Sequence, residues 1–315
     1  STAQTPAQRT APRPSRRTPT RPAALYIKGV NAAVDHIRQN LRRPLRLTAL
    51  ARIAGFSPYH FHRVFQAIIG ETPADFVMRL RLDRAVARLA GPRPPPMARI
   101  ATDCGFASAS DFSRAFKRRF GASPSRFDLG SWRTGRRTEF DLLAEHGFHV
   151  DRLAAASNPD RFRVRLRDLP ARTLAYIRVS NPYAGTAVVD ACHRLMNWAD
   201  RNGFIDNPWY GYQWENPELV PLDRCRYHVA VEADRFEPRG EIGRYRFPPI
   251  KVAEVRVRGP IDAEVRALMW LYGVWLPRSG YVPDDQPCFE AWDGRPFAHG
   301  MNHFELRIWL PVKRA

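Results

Sequence analysis

The chain has 315 residues, 44% of them hydrophobic, which is enough for two ordinary domains each with its own core. No stretch approaches the roughly 18 apolar residues needed to cross a bilayer. The N-terminus carries arginines and prolines but no apolar leader core, so a cytoplasmic protein without a membrane partner is expected. The formal charge of +19 is uneven: residues 1–150 hold 26 Lys and Arg against 10 Asp and Glu, residues 151–315 hold 24 against 21. Polyanion binding therefore belongs to the first half, although charge alone does not distinguish DNA from an anionic membrane or a heparin-like polymer. Cys104, Cys192, Cys225 and Cys288 are too scattered for a disulfide framework or metal-ligand pairs. They are expected to be reduced, with no metal and no cofactor.

Residues 1–23 are rich in Pro, Thr and Arg with almost nothing to bury, which predicts a disordered basic tail. From Leu25 apolar residues fall at helical spacing, and the chain repeats itself at an offset of about 50 residues. Leu50, Ala51, Gly55 and Phe56 match Ile100, Ala101, Gly105 and Phe106. Phe61, Arg63, Phe65, Gly70, Pro73 and Phe76 then match Phe112, Arg114, Phe116, Gly121, Pro124 and Phe127. Each unit reads as a short helix (about 47–54 and 97–104), a glycine turn, and a second helix opened by Ser57-Pro58 or by Ser108. That is the grammar of a helix-turn-helix. Phe61 with Phe65, and Phe112 with Phe116, would face the core and leave the opposite faces for DNA. A stripe of Met78, Leu82, Ala85 and Leu89 predicts one linking helix over residues 72–90, ended by Gly91-Pro92. It would be about 28 Å long, close to the spacing of successive major-groove faces.

The stretches LTALARIAGFSPYHFHRVFQAIIGETPADFV and IATDCGFASASDFSRAFKRRFGASPSRF resemble the two halves of the AraC/XylS DNA-binding domain, in its MarA/Rob-type form, over about residues 25–128. The resemblance implies an all-helical domain with two helix-turn-helix units that binds double-stranded DNA as a monomer, with RNA polymerase as a further potential partner. By position it offers Tyr59, His62 and Arg63 to base edges from the first recognition helix, and Ala109, Ser110, Asp111, Ser113 and Arg114 from the second. Lys117 and Arg118, with Arg119, are placed for phosphates. For His62 a plain surface position stays open.

Residues 129–160 read as a linker with room for a short helix. After Phe162 the pattern alternates: FRVRLRDL and RTLAYIRVS as strands, TAVVDACHRLMNWADRNG as an amphipathic helix, WYGYQW and RYHVAVEA as strands. The order recurs in IKVAEVRVRGP, IDAEVRALMWLYGVWL, PCFEAWDG and HFELRIWLPV. This tandem resembles the GyrI-like effector-binding domain. The whole chain is thus expected to be multidomain: a tail (1–23), an all-α double helix-turn-helix domain (24–128), a linker (129–160) and an α+β GyrI-like domain of two pseudo-symmetric β-α-β-β repeats (161–315).

In that family the resemblance implies helices on one side of the sheet and a ligand on the concave other side. Alternation in FELRIWLPV turns Phe304, Leu306, Ile308 and Leu310 toward the helices and Glu305, Arg307 and Trp309 away. Glu305, with Tyr212, Trp214, Tyr227, Trp275 and Trp309 around it, is the expected pocket for an amphipathic small-molecule effector. Arg307 stands where relatives often have a second acid, which puts a strongly cationic ligand in doubt. Glu290 is a weaker candidate for the ligand-facing acid, with a solvent-facing strand position as its plainer reading. The implied function is a sequence-specific, effector-modulated transcription regulator and not an enzyme. Two alternatives stay open: hydrolysis of a small toxic compound by the C-terminal domain, or a protein-interaction module.

Overall fold

The computed structural model describes residues 21–89, 94–129, 132, 157–183, 185–215 and 220–314. The expected tail up to residue 20 and most of the expected linker lie outside the described residues. Helix α1 (Arg21–Gln39) starts inside the segment expected to be tail; α2 (Leu47–Ala54), α3 (Pro58–Ile69), α4 (Pro73–Leu89), α5 (Met97–Asp103) and α6 (Ala109–Phe120) follow. Both second helices open on a side-chain cap. The Ser57 hydroxyl accepts from the His60 N–H at 3.4 Å, and Ser108 accepts from the Asp111 N–H at 3.0 Å while donating to the Asp111 carboxylate at 2.9 Å. The second turn runs through Gly105 at φ +86°, where a Cβ would lie 2.3 Å from the Leu41 carbonyl, so only glycine lets the two units meet there.

Two aromatic-rich cores result. Val30, Val34, Ile37, Phe61, Phe65 and Phe76 form one; Ile100, Phe112, Phe116 and Phe120 form the other. Helix α4 serves both, giving Phe76, Val77 and Leu80 to the first and Leu82, Ala85 and Val86 to the second. The stripe expected on it therefore covers only the second core, where Met78 and Leu89 pack from the margin.

The C-terminal half forms β1 (Arg165–Leu169), β2 (Arg172–Ser180), α7 (Ala187–Arg201), β3 (Trp209–Gln213), β4 (Arg226–Glu232), β5 (Ile242–Phe247), β6 (Ile250–Gly259), α8 (Ile261–Trp270), β7 (Tyr281–Pro283), β8 (Cys288–Trp292) and β9 (Phe304–Arg314). The strands pair antiparallel in the order β1-β6-β9-β8-β3-β4-β2-β5, with β7 added on β9. Helices α7 and α8 cover one face, each with its own apolar cluster, and α8 continues into a π-helical turn at Leu271–Trp275. Strands β5 and β7 were not expected from the sequence.

The opposite face is closed. Strands β1 and β2 are joined through residues 170–171 and β5 and β6 through Pro248-Pro249, yet each pair is split between the two ends of the sheet. These short links curl the sheet so that Leu169, Tyr176, Tyr210, Tyr212, Phe247, Phe289 and Trp309 pack into one core. Arg172 is buried among them, its guanidinium carbon 4.9 Å from the Trp309 ring centre and 5.4 Å from that of Phe289. Over this face lies α1: Asp35 takes the Tyr176 hydroxyl and, at 2.8 Å, Arg178 Nη2, while Arg178 also donates to Asn31. The face expected to be an open, concave ligand surface is thus filled by its own rings and capped by the helical domain.

Candidate functional site

On α3 the apolar positions Phe61, Phe65 and Ile69 are buried and Tyr59, Arg63, Gln66 and Ala67 are exposed, with His62 half-buried between them. Tyr59 is 70% exposed, and Arg63 Nη1 reaches its hydroxyl at 3.3 Å. Together with Leu47 and Pro58 these side chains line an open depression. On α6, Ala109, Ser110, Arg114, Lys117 and Arg118 are exposed, and Asp111 and Ser113 are half-buried. The Asp111 carboxylate is engaged twice, by the Ser108 cap and by Arg114 Nη2 at 2.5 Å, so it orients Arg114. The remaining exposed cations, Lys117, Arg118 and Arg119, stand in the last turn of α6.

The six residues expected to form one pocket do not come together. Glu305 lies on the face away from α8, about a quarter exposed, with Arg258 Nε at 3.1 Å and His303 Nε2 at 3.7 Å. Tyr212, Trp214 and Trp309 pack in the closed inner core, Tyr212 stacking on His228 at 4.7 Å. Tyr227 and Trp275 pack with the helices on the other side. The reason is the two-residue period of β4: His228 pairs across from Tyr212, so its neighbour Tyr227 points to the opposite face.

There Tyr227 meets Glu290, which is half-buried beneath the helices rather than fully facing solvent. The Tyr227 hydroxyl donates to Glu290 Oε2 at 2.5 Å and the Trp292 indole N–H donates at 3.2 Å. Glu264 of α8, buried at 5% exposure, is hydrogen-bonded to the same carboxylate. Burial first, then the neighbouring Glu290 charge, pushes the Glu264 carboxyl well above its ordinary range, so Glu264 is the protonated donor and Glu290 the acceptor. Burial also raises Glu290, while its three donors favour the charged form. Gly211 of β3 makes the space: a Cβ there would sit 1.6 Å from the Tyr227 hydroxyl and 2.7 Å from Glu290 Oε2. A glycine between aromatics in a strand marks such a close approach, and in WYGYQ it is the sequence signal that points here. Among the described residues no group of His, Cys, Asp and Glu is arranged to hold a metal ion, Cys104, Cys192 and Cys225 are buried thiols with Cys288 half-buried, and no helix is long and apolar enough to cross a membrane.

Comparison with known proteins agrees with this division. The helix-turn-helix domain family matches residues 50–129, and the GyrI-like small molecule binding domain family matches residues 162–313. The chain belongs to the AraC-type transcriptional regulators, with a GyrI-like domain behind its DNA-binding domain. The probable transcriptional regulator LumQ of Photobacterium leiognathi is 37% identical over 95 residues, 30% of this chain and 38% of LumQ. The chain thus spans well under half of that relative. The regulatory protein SoxS of Escherichia coli K12 is 31% identical over 100 residues, 32% of this chain and 92% of SoxS. A DNA gyrase inhibitor of Edwardsiella piscicida is 30% identical over 164 residues, 49% of this chain and 99% of that protein. This AraC-type regulator is therefore covered by two kinds of relative, one for each domain.

Proposed function

We propose that this regulator reads double-stranded DNA as a monomer through α3 and α6, and that its activity is set by a small apolar, neutral or cationic effector bound beside Glu290. The DNA part rests on one observation: two recognition helices, each opened by a serine cap, present exposed polar faces on a single chain. From α3, Tyr59, His62 and Arg63 meet base edges; from α6, Ala109, Ser110, Ser113 and Arg114 do so, while Lys117 and Arg118 contact phosphates. A footprint of about 20 base pairs without palindromic symmetry, protected at one chain per duplex, is expected. Protection of a strict palindrome by dimers alone would overturn it.

The effector part rests on the half-buried Glu290 with its ring of donors. An anionic carboxylate under two helices, bordered by Tyr227 and Trp292, supplies charge and aromatic faces to an organic cation that takes the place of the Glu264 proton. Glu305, already paired with Arg258 at the rim, is assigned no such role. Calorimetric titration of the full chain with a panel of aromatic cations tests the assignment. Affinity should fall in Glu290→Gln and persist in Glu305→Gln; the reverse pattern would return the site to Glu305. Analysis of the same mixtures for products separates binding from hydrolysis.

A further inference from the structure

We infer that Arg226 is a positioning residue for DNA recognition, through which the GyrI-like domain sets the first recognition helix. Arg226 is the first residue of β4 and is 2% exposed. Its Nη2 donates to the carbonyl of Ile69, the last residue of α3, at 2.5 Å. The final carbonyls of a helix have no partner within it and form the negative end of its dipole, so a guanidinium placed there both satisfies and holds that end. Among the described residues α3 has no basic residue of its own in its last turn. The effector domain supplies the missing cation.

Arg226 is itself held. Glu215, just beyond β3 and fully buried at its side chain, accepts from the Arg226 backbone N–H at 3.2 Å and from Nη1 at 3.5 Å. The same carboxylate takes Arg38 Nη2 of α1 at 2.6 Å. Burial alone would raise Glu215, but the guanidiniums of Arg38 and Arg226, with Arg79 behind them, keep it below the ordinary carboxylate range. Phe76 lies under all three guanidiniums, within 5.1–5.8 Å, and its other edge packs on Phe65 of α3 at 5.5 Å. A second anchor reaches the other unit: Arg88 of α4 bridges Asp103 at the end of α5 and Asp285 before β8, each at 2.9 Å.

The neighbour of Arg226 gives this contact its consequence. Tyr227 is the next residue of β4 and holds Glu290 on the opposite face of the sheet. One peptide bond therefore separates the group that fixes α3 from the group that fixes the proposed effector carboxylate. A displacement of Tyr227 moves β4 at the point where it grips the recognition helix; α6 meets the same region through core packing instead, Val220 and Cys225 lying with Phe112, Phe116 and Phe120, so loss of the Arg226 guanidinium falls on α3.

The inference rests on α3 and α6 reading separate halves of one DNA site, and the test separates the two ideas. A duplex is selected from random DNA with the full-length wild-type chain, and each half is then scrambled in turn. If wild-type selects no two-part site, the DNA reading itself fails. If it does, scrambling the half read by α3 should cost wild-type roughly ten-fold or more in affinity. In Arg226→Met that penalty should shrink to below about three-fold, while the penalty for the α6 half stays as in wild type. Arg226→Lys, which keeps one donor for the Ile69 carbonyl, should recover part of it. Glu215→Gln, which keeps the shape, should act in the same direction if Arg226→Met does not fold. Tyr227→Phe should alter the α3 half in the presence of Arg226 and add nothing in its absence. Undiminished discrimination by Arg226→Met in both halves, or an equal loss in both, overturns the inference.

Discussion

Replacing Gly211 by alanine tests the geometry beneath the helices directly. The new Cβ would stand 1.6 Å from the Tyr227 hydroxyl, 2.5 Å from its Cζ and 2.7 Å from Glu290 Oε2, and the first two of these atoms belong to a rigid, half-buried tyrosine side chain packed against the sheet. The ring has to retreat by more than an ångström on this geometry, which breaks its bond to Glu290. A hydrogen bond to a charged group contributes about 1.5–3 kcal/mol. Overpacking of a well-filled site costs about 1–3 kcal/mol. The lower backbone entropy of alanine returns roughly 0.5–1 kcal/mol. Gly211→Ala is therefore expected to destabilise the C-terminal domain by about 2–5 kcal/mol, read from urea unfolding followed by tryptophan fluorescence and circular dichroism. Gly273→Ala is the control, since a Cβ there meets nothing within 4 Å. Shortening the ring in Gly211→Ala/Tyr227→Leu should leave the double variant more stable than the sum of the single losses by more than about 1 kcal/mol. Strict additivity, or a Gly211→Ala chain within about 1 kcal/mol of wild type, would refute the packing described for this site.

Arg63→Ala should relax base preference at one position by about 1–3 kcal/mol, seen as an altered consensus in binding-site selection, whereas Lys117→Ala should weaken all sequences alike and lower the salt slope by about one unit. An unchanged consensus in Arg63→Ala would remove Arg63 from the base-reading set. Glu264 has a folded-state pKa raised above the ordinary 4.5, so its contribution is fully present below that value and is lost as pH rises toward the raised one. Stability of the wild-type chain should therefore decline above pH 4.5 by up to about 1.4 kcal/mol per pH unit from this group. Glu264→Gln, which keeps a donor to Glu290 and has no proton to lose, should flatten that decline; parallel pH profiles for the two chains would contradict a protonated Glu264.

The helical half was legible because its signals are local. Ser57-Pro58, Ser108 and the two turn glycines punctuate a 3.6-residue pattern, and α2 and α5 begin where the text placed them. Alternation in FELRIWLPV likewise put Leu306, Ile308 and Leu310 under α8 and Trp309 on the other face. Alternation assigns residues to two faces but does not say which face stays open. That depends on the curl imposed by β1 pairing with β6 and β2 with β5, contacts tens of residues apart in the chain. Hence Glu305 sits at a rim beside Arg258, and Glu290, expected in solvent, shares a face with Cys288 and Trp292 beneath α8. The interface between the domains left no local trace at all, since Arg38 and Glu215 are 177 residues apart.

That interface also changes what the basic charge of the first half means. Counted along the chain, every arginine before residue 150 appears available to a polyanion. In the fold Arg38 is paired with Glu215, Arg79 with Glu71 and Asp83, and Arg88 with Asp103 and Asp285, all at least largely buried. Their positive charge is neutralised by carboxylates, two of which, Glu215 and Asp285, come from the C-terminal half. The cations left exposed on the recognition helices are Arg63 on α3 and Arg114, Lys117, Arg118 and Arg119 on α6. The field that draws a polyanion is thus reduced at the domain interface, while Lys28, Arg42, Arg43, Arg46, Arg52, Arg99 and Arg126 stay exposed beside those on the recognition helices. Charge that is spent on fixing how the recognition helices sit cannot also be spent on phosphates, and so orientation of α3 and α6 rather than bulk attraction has to carry selectivity for a particular DNA site.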